Sequence, residues 1–145
     1  MTLKSVNPAT EEILATFEPY NDAHIAAAVE FSEKAFYTHR QTGMKERAEK
    51  LRTVASILET EIERHALTIT REMGKTLASS RAEISKCAWG CRFYADNAPV
   101  FLEDQFIKIE EGEAFVRYLP LGPVLAVMPW NFPFWQVFRF AAPAL

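Results

Sequence analysis

Asn131 is the one carboxamide in a segment that is otherwise apolar or proline-locked, Leu121-Gly-Pro-Val-Leu-Ala-Val-Met-Pro-Trp-Asn-Phe-Pro133. Val124 to Val127 form an unbroken apolar run, the pattern of a parallel strand covered on both faces. Pro129 and Pro133 fix φ and cannot donate to a ladder, so the strand is expected to stop there and give way to a turn. Pro133 then opens a helix predicted over residues 134–145, at a position where a missing N–H costs nothing. Ligands of an open α/β sheet bind at the carboxyl ends of strands, which puts Asn131 at such a mouth. Its amide can cap the helix or donate to a bound group; the residues by themselves favour the cap.

Arg139 is the second group with chemistry to offer. Helical spacing gathers Phe132, Gln136, Arg139 and Phe140 on one face. A guanidinium buried there alone would cost several kcal/mol, so it is expected to meet a carboxylate. That carboxylate belongs either to the protein or to a substrate gripped by the planar fork. Cys87 and Cys91 lie four apart on one helix face, but His24, His39 and His65 are scattered and no further cysteine completes a ligand set. Core packing is the reading for both thiols, and no metal is expected.

The elements that must position these groups can be read from the pattern. Glu11 to Phe17 predicts a strand, and Asn21 caps a helix from Asp22 to about His39 with Ile25, Ala28, Val29, Ser32 and Phe36 inward. Past Gly43 a second helix buries Ala48, Leu51, Ala55, Leu58 and Ile62 and continues through Leu67 and Ile69 to a cap at Gly74. A third, from about Thr76 to Asn97, carries the stripe Ile84, Cys87, Ala88, Cys91, Tyr94 and Ala95. Residues 106–110 and 114–118 alternate about Glu111-Gly112, a β-hairpin signal.

The chain has 145 residues, 49% hydrophobic, with a formal net charge of −3. That composition suits a globular protein and gives no electrostatic reason to seek nucleic acid. Met1-Thr-Leu-Lys-Ser-Val lacks the pattern of a signal peptide, and two cysteines suggest a reducing compartment, so the cytoplasm is expected. Residues 118–145 are strongly apolar, yet five prolines with Asn131 and Arg139 argue against a membrane span. The apolar close at Leu145 is read as a chain cut before its sheet is built. The G-x-G-x-x-G phosphate loop is missing from the sequence.

Met128-Pro-Trp-Asn-Phe-Pro133 resembles a motif of the aldehyde dehydrogenase superfamily. Asn7-Pro-Ala-Thr-Glu-Glu12, Arg71-Glu-Met-Gly-Lys75 and Arg117-Tyr-Leu-Pro-Leu-Gly-Pro123 resemble that family in order, over its first third or so. The resemblance implies an α/β fold: helices, an oligomerisation hairpin at 104–119, then the first strand and helix of a Rossmann-like domain. Residues 1–145 would be an incomplete N-terminal part of the NAD(P)-binding domain, without the catalytic domain. It implies oxidation of an aldehyde through a cysteine thioester with NAD or NADP, in a homo-oligomer, dimer or tetramer. Asn131 matches a side-chain donor to the oxyanion, and Val127, Met128, Pro129 and Trp130 match positions lining the dinucleotide. Trp135-Gln-Val-Phe-Arg139 resembles the succinate-semialdehyde branch, where an arginine here holds the substrate's far carboxylate; Phe132 and Gln136 would line the same tunnel. The family's nucleophile, general-base and phosphate-lysine motifs are absent, so this chain by itself is expected to be inactive. The rival expectations are a non-catalytic module of helices and hairpin that docks through its apolar tail, and another aldehyde dehydrogenase branch in which Arg139 is paired internally.

Overall fold

In the computed structural model, which describes residues 2–145, two antiparallel hairpins flank a helical body. The order is β1 (Leu3–Val6), β2 (Ile13–Phe17), α1 (Asp22–His39), α2 (Met44–Thr60), α3 (Ile62–Met73), α4 (Leu77–Phe101), β3 (Gln105–Ile107), β4 (Ala114–Val116) and α5 (Pro133–Ala144). α4 is the axis of the body, packed against α2, α3 and α5. Its buried stripe of Ile84, Cys87, Ala88 and Cys91 meets Ala55 and Leu58 of α2, Ile69 of α3 and Ala142 of α5. These side chains recur at three- and four-residue steps, so burying them fixes the rotation of each helix.

Local chemistry sets the boundaries. Asn21 Oδ1 accepts from the His24 amide at 3.0 Å and caps α1 as expected. Thr76 does the same for α4 through the Ser79 amide. α4 runs past the expected end at Asn97, although Pro99 cannot donate to the Ala95 carbonyl. The Arg52 guanidinium, at 3.5 Å, offers that carbonyl a replacement donor.

Several expectations need correction. The second helix does not continue to Gly74: Glu61, at φ −103° and ψ 21°, breaks it into α2 and α3. The break lets Ala66 and Ile69 face α4 and leaves Leu67 exposed; with neither glycine nor proline at the junction, the apolar period gives no sign of it. α1 forms where expected, but none of its residues is buried. The strand expected from Glu11 begins only at Ile13, because Asn7 to Glu12 is a hairpin loop closed by Asn7 and Glu12 backbone bonds, and β2 pairs with β1, a strand the pattern did not reveal. The apolar run Val124 to Val127 is not a strand. No described residues lie alongside to complete a ladder, and Leu125 and Val127 stand 89% and 86% exposed. The β3–β4 hairpin is present, with Phe106 against Phe115, but shorter than its alternating pattern.

Gly74 closes α3 in the left-handed region at φ 68°, and a β-carbon there would lie 3.0 Å from Pro8 Cγ of the β1–β2 loop. Gly43, by contrast, caps α2 in extended conformation with open space around it. Gly74→Ala is therefore expected to destabilise the chain by about 1–2 kcal/mol from backbone strain alone. Gly43→Ser should stabilise it by a few tenths of a kcal/mol through a new cap. Urea unfolding of the two variants checks both signs.

Candidate functional site

The start of α5 is built from two directions. Phe132, which precedes a proline, is held out of helical conformation at φ −134° and ψ 75°, so the helix begins at Pro133. Pro133 has no amide hydrogen, and the Gln136 amide makes the first helical bond, to the Phe132 carbonyl at 2.9 Å. The amides of Phe134 and Trp135 remain. Neither Asn131 nor Phe132 caps them, for α5 has no side-chain cap of its own. Both instead donate to Glu83 Oε1 of α4, at 3.0 Å each.

Glu83 was not singled out by the sequence, and it organises this corner. Its residue is 5% exposed, and its other oxygen accepts from Lys75 Nζ at 2.6 Å. The ion pair has side chains 17% and 2% exposed. A carboxylate removed from water to that degree costs several kcal/mol unless paired and hydrogen-bonded. Here three donors and the positive end of the α5 dipole meet it. The Lys75 ammonium also sits 3.5 Å from the centroid of the Phe132 ring, a cation–π contact on the residue after Asn131. The only advance signal was an acidic residue at a position facing the core stripe, one step before Ile84.

With the cap supplied by Glu83, Asn131 is released from the employment its residues by themselves favour. It lies in the bend just before α5 and is exposed. Val127, Pro129 and Trp130 on the extended approach are exposed, and Met128 is half-buried. Phe132 and Arg139 reach opposite sides of Trp135. Phe132 lines a cleft of about 200 Å³ with Ser79, Glu83 and Lys86, whereas Arg139 lines one of about 190 Å³ with Trp89, Phe93, Tyr94 and Phe138. Lys86 Nζ lies 4.0 Å over the Trp135 ring that separates the two. Gln136, half-buried, lines neither. Arg139 is exposed, not buried as the sequence led one to expect, and has no carboxylate partner among the described residues. Larger clefts of about 460 and 590 Å³ lie between α1 and the segment around Pro123 and Val124; Asn131 lines neither.

The aldehyde dehydrogenase family model matches residues 1–145. A probable NADP(+) succinate-semialdehyde dehydrogenase of Synechocystis sp. is 43% identical over the whole chain, which spans 32% of that relative. A succinate-semialdehyde dehydrogenase of Mycobacterium avium, also named for NADP(+), is 47% identical over 149 residues, again 32% of its length. Among solved structures, the succinic semialdehyde dehydrogenase of Streptococcus pyogenes in complex with NADP+ superposes with a TM-score of 0.91 at 32% identity, covering 97% of this chain and 31% of that one. An aldehyde dehydrogenase of Brucella melitensis biovar abortus superposes at 0.93 with 32% identity, over 99% of this chain and 30% of that one. The chain thus spans about a third of the length of the relatives it matches.

The two cysteines stand apart from this corner's chemistry. Both are free and fully buried in the core stripe. Burial above all, and then the nearby Glu83 charge, pushes the Cys87 thiol up to about 12. Burial raises Cys91 as well. A thiol kept protonated is a poor nucleophile, so neither is suited to attack a carbonyl. The neutral form is favoured by folding, so its stabilising effect is complete below pH 9, the ordinary thiol value, and is lost as pH rises toward 12. The native chain at pH 8 should leave both thiols unreacted with a thiol-labelling disulfide and release both on unfolding. Unfolding free energy should fall above pH 9 by at most about 1.4 kcal/mol per pH unit from Cys87.

Proposed function

Since the chain belongs to the aldehyde dehydrogenase family, we propose that it forms the N-terminal portion of an NADP-dependent succinate-semialdehyde dehydrogenase, acting within the complete protein. The observation that carries this reading is the cap on α5. Glu83 satisfies the helix amides, so the Asn131 carboxamide is left over, in an exposed bend beside the Lys75–Phe132 contact. A donor not engaged by its own helix is free to meet a developing oxyanion.

In this reading a cysteine thiolate from outside these 145 residues adds to the aldehyde carbonyl. The side-chain N–H₂ of Asn131 donates to the oxygen as it becomes negative. A nicotinamide cofactor held along Val127, Met128, Pro129 and Trp130 would supply the hydride acceptor needed for collapse to the thioester, which water would hydrolyse to the acid. Val127, Met128, Pro129 and Trp130 offer one apolar wall for the cofactor. That wall fits a flat ring and carries no cation for a phosphate. NADP is preferred to NAD because the relatives are named for it.

Arg139 is the substrate-selecting residue of the proposal. Its guanidinium is exposed beside an aromatic cleft and has no carboxylate partner among the described residues, which leaves its fork for the far carboxylate of succinate semialdehyde. Phe132, from the cleft on the far side of Trp135, and Gln136, between the two clefts' residues in sequence, are proposed to complete the approach when the rest of the protein encloses it. The β3–β4 hairpin, residues 104–119, is proposed as an oligomerisation element, since Phe106 is 72% exposed and both strand edges are open. Free cysteines suit a cytoplasmic enzyme, and no helix among the described residues is long and apolar enough to cross a membrane.

Purified 145-residue chain should form no NADPH from succinate semialdehyde and NADP+, whereas the complete enzyme should; turnover by the chain alone would overturn the assignment of the nucleophile. In the complete enzyme, Asn131→Ala should lower kcat by roughly 10²- to 10³-fold. Arg139→Ala should raise KM for succinate semialdehyde while sparing an uncharged aldehyde of similar length. Equal effects on the two aldehydes would remove Arg139 from substrate recognition.

A further inference from the structure

We propose that Glu83 is a positioning residue for the Asn131 carboxamide, acting from α4 through the first turn of α5. The proposal rests on the reading of Asn131 as an oxyanion donor. Three restraints follow Asn131 in the chain, and Glu83 takes part in two. Phe132 lies under the Lys75 ammonium, which is itself fixed by its 2.6 Å bond to Glu83 Oε2. Pro133 has its φ set by its ring. The amides of Phe134 and Trp135 converge on Glu83 Oε1, both at 3.0 Å.

Apolar packing alone does not fix this geometry. Phe134, Trp135 and Phe138 pack against the core around α4, but such contacts are non-directional and allow a helix to slide or rotate by fractions of an ångström. Two converging hydrogen bonds to one buried carboxylate oxygen do not allow it. A catalytic donor has to be held within about 0.5 Å of its productive position, so the register of α5 passes directly into the aim of Asn131. No residue of α5 or of the preceding bend supplies a side-chain cap in place of Glu83.

The test is a double-mutant cycle in the complete enzyme. Glu83→Gln keeps an acceptor oxygen but turns a donor toward Lys75. It is expected to lower kcat by roughly 10- to 100-fold, with KM for succinate semialdehyde and affinity for NADP+ little changed. In an Asn131→Ala background the same change should cost no more than about twofold, because the group it aims is gone. Equal losses in both backgrounds would show a merely structural role and overturn the proposal. Glu83→Asp, which keeps the charge and loses one methylene of reach, serves where Glu83→Gln does not fold. Full kcat in Glu83→Asp would overturn the proposal equally. In the 145-residue chain, Glu83→Gln should speed hydrogen exchange at the Phe134 and Trp135 amides while sparing Ala88 in the middle of α4; unchanged protection would also defeat it. Asn131→Ala with undiminished kcat would sink the oxyanion reading instead, a failure distinguishable from that of Glu83.

Discussion

The carboxylate of Glu83 is the constraint on which this corner of the molecule depends. Burying it is unfavourable unless both oxygens are hydrogen-bonded, and here two backbone amides meet one and an ammonium the other. The same bonds complete the start of α5, where Pro133 removes one orphan donor and Glu83 takes two more. A single side chain on one helix thus anchors the first turn of another, whose starting residue Pro133 sets and whose buried face the core selects. The surface pairs, such as Arg92 with Glu59 and Arg81 with Glu63, have both members roughly half exposed and are worth about 0–1 kcal/mol each, too little to impose any such order.

The constraint reaches further through Lys75. That residue follows Gly74, whose left-handed conformation ends α3 and whose missing β-carbon admits Pro8 from the β1–β2 loop. The loop and the bend before α5, more than a hundred residues apart in sequence, therefore both reach the Gly74-Lys75 step at the end of α3, the loop at Gly74 and the bend at Lys75. Each is one of the segments by which the chain resembles its family: Asn7 to Glu12, Arg71 to Lys75 and Met128 to Pro133. Their proximity gives the resemblance a physical basis. The side chains and turns that look like a signature are the parts of one joint.

How much of this was legible follows from the range of each interaction. Asn21 before α1, Gly74 after α3 and the Ile84–Cys87–Cys91 stripe are local or periodic signals, and the structure places them where the pattern does. Signals that depend on a distant partner were not legible. Val124 to Val127 has a strand's composition but no neighbour to pair with among the described residues, and β1 was unrecognised because its partner β2 defines it. The break at Glu61 involves no glycine or proline, so it arises from how α3 packs and not from the chain's own preference. Within the site, Asn131 and Arg139 stood out by residue type. Glu83 did not, because an acidic residue amid helical polar positions looks like solvated surface until the helix it caps, about fifty residues later, is folded against it.

A buried ion pair is weak evidence of stability, and well-packed apolar residues of similar volume often serve a core as well or better. The case for Glu83 and Lys75 therefore has to rest on something a leucine and a methionine could not provide. An apolar pair could fill the space between α4 and the start of α5, but it would leave the Phe134 and Trp135 amides without acceptors. Asn131, one residue before the N-cap Phe132, is the polar side chain next to them in sequence, and its oxygen would be drawn toward them. Its carboxamide oxygen would fold back onto the helix and carry the N–H₂ group with it. Glu83 thus does two things by one pair of bonds: it holds α5 in register, and it keeps Asn131 from becoming a cap. On the proposed reading of the site, the second effect matters as much as the first, since an oxyanion donor must be both fixed in place and unspent.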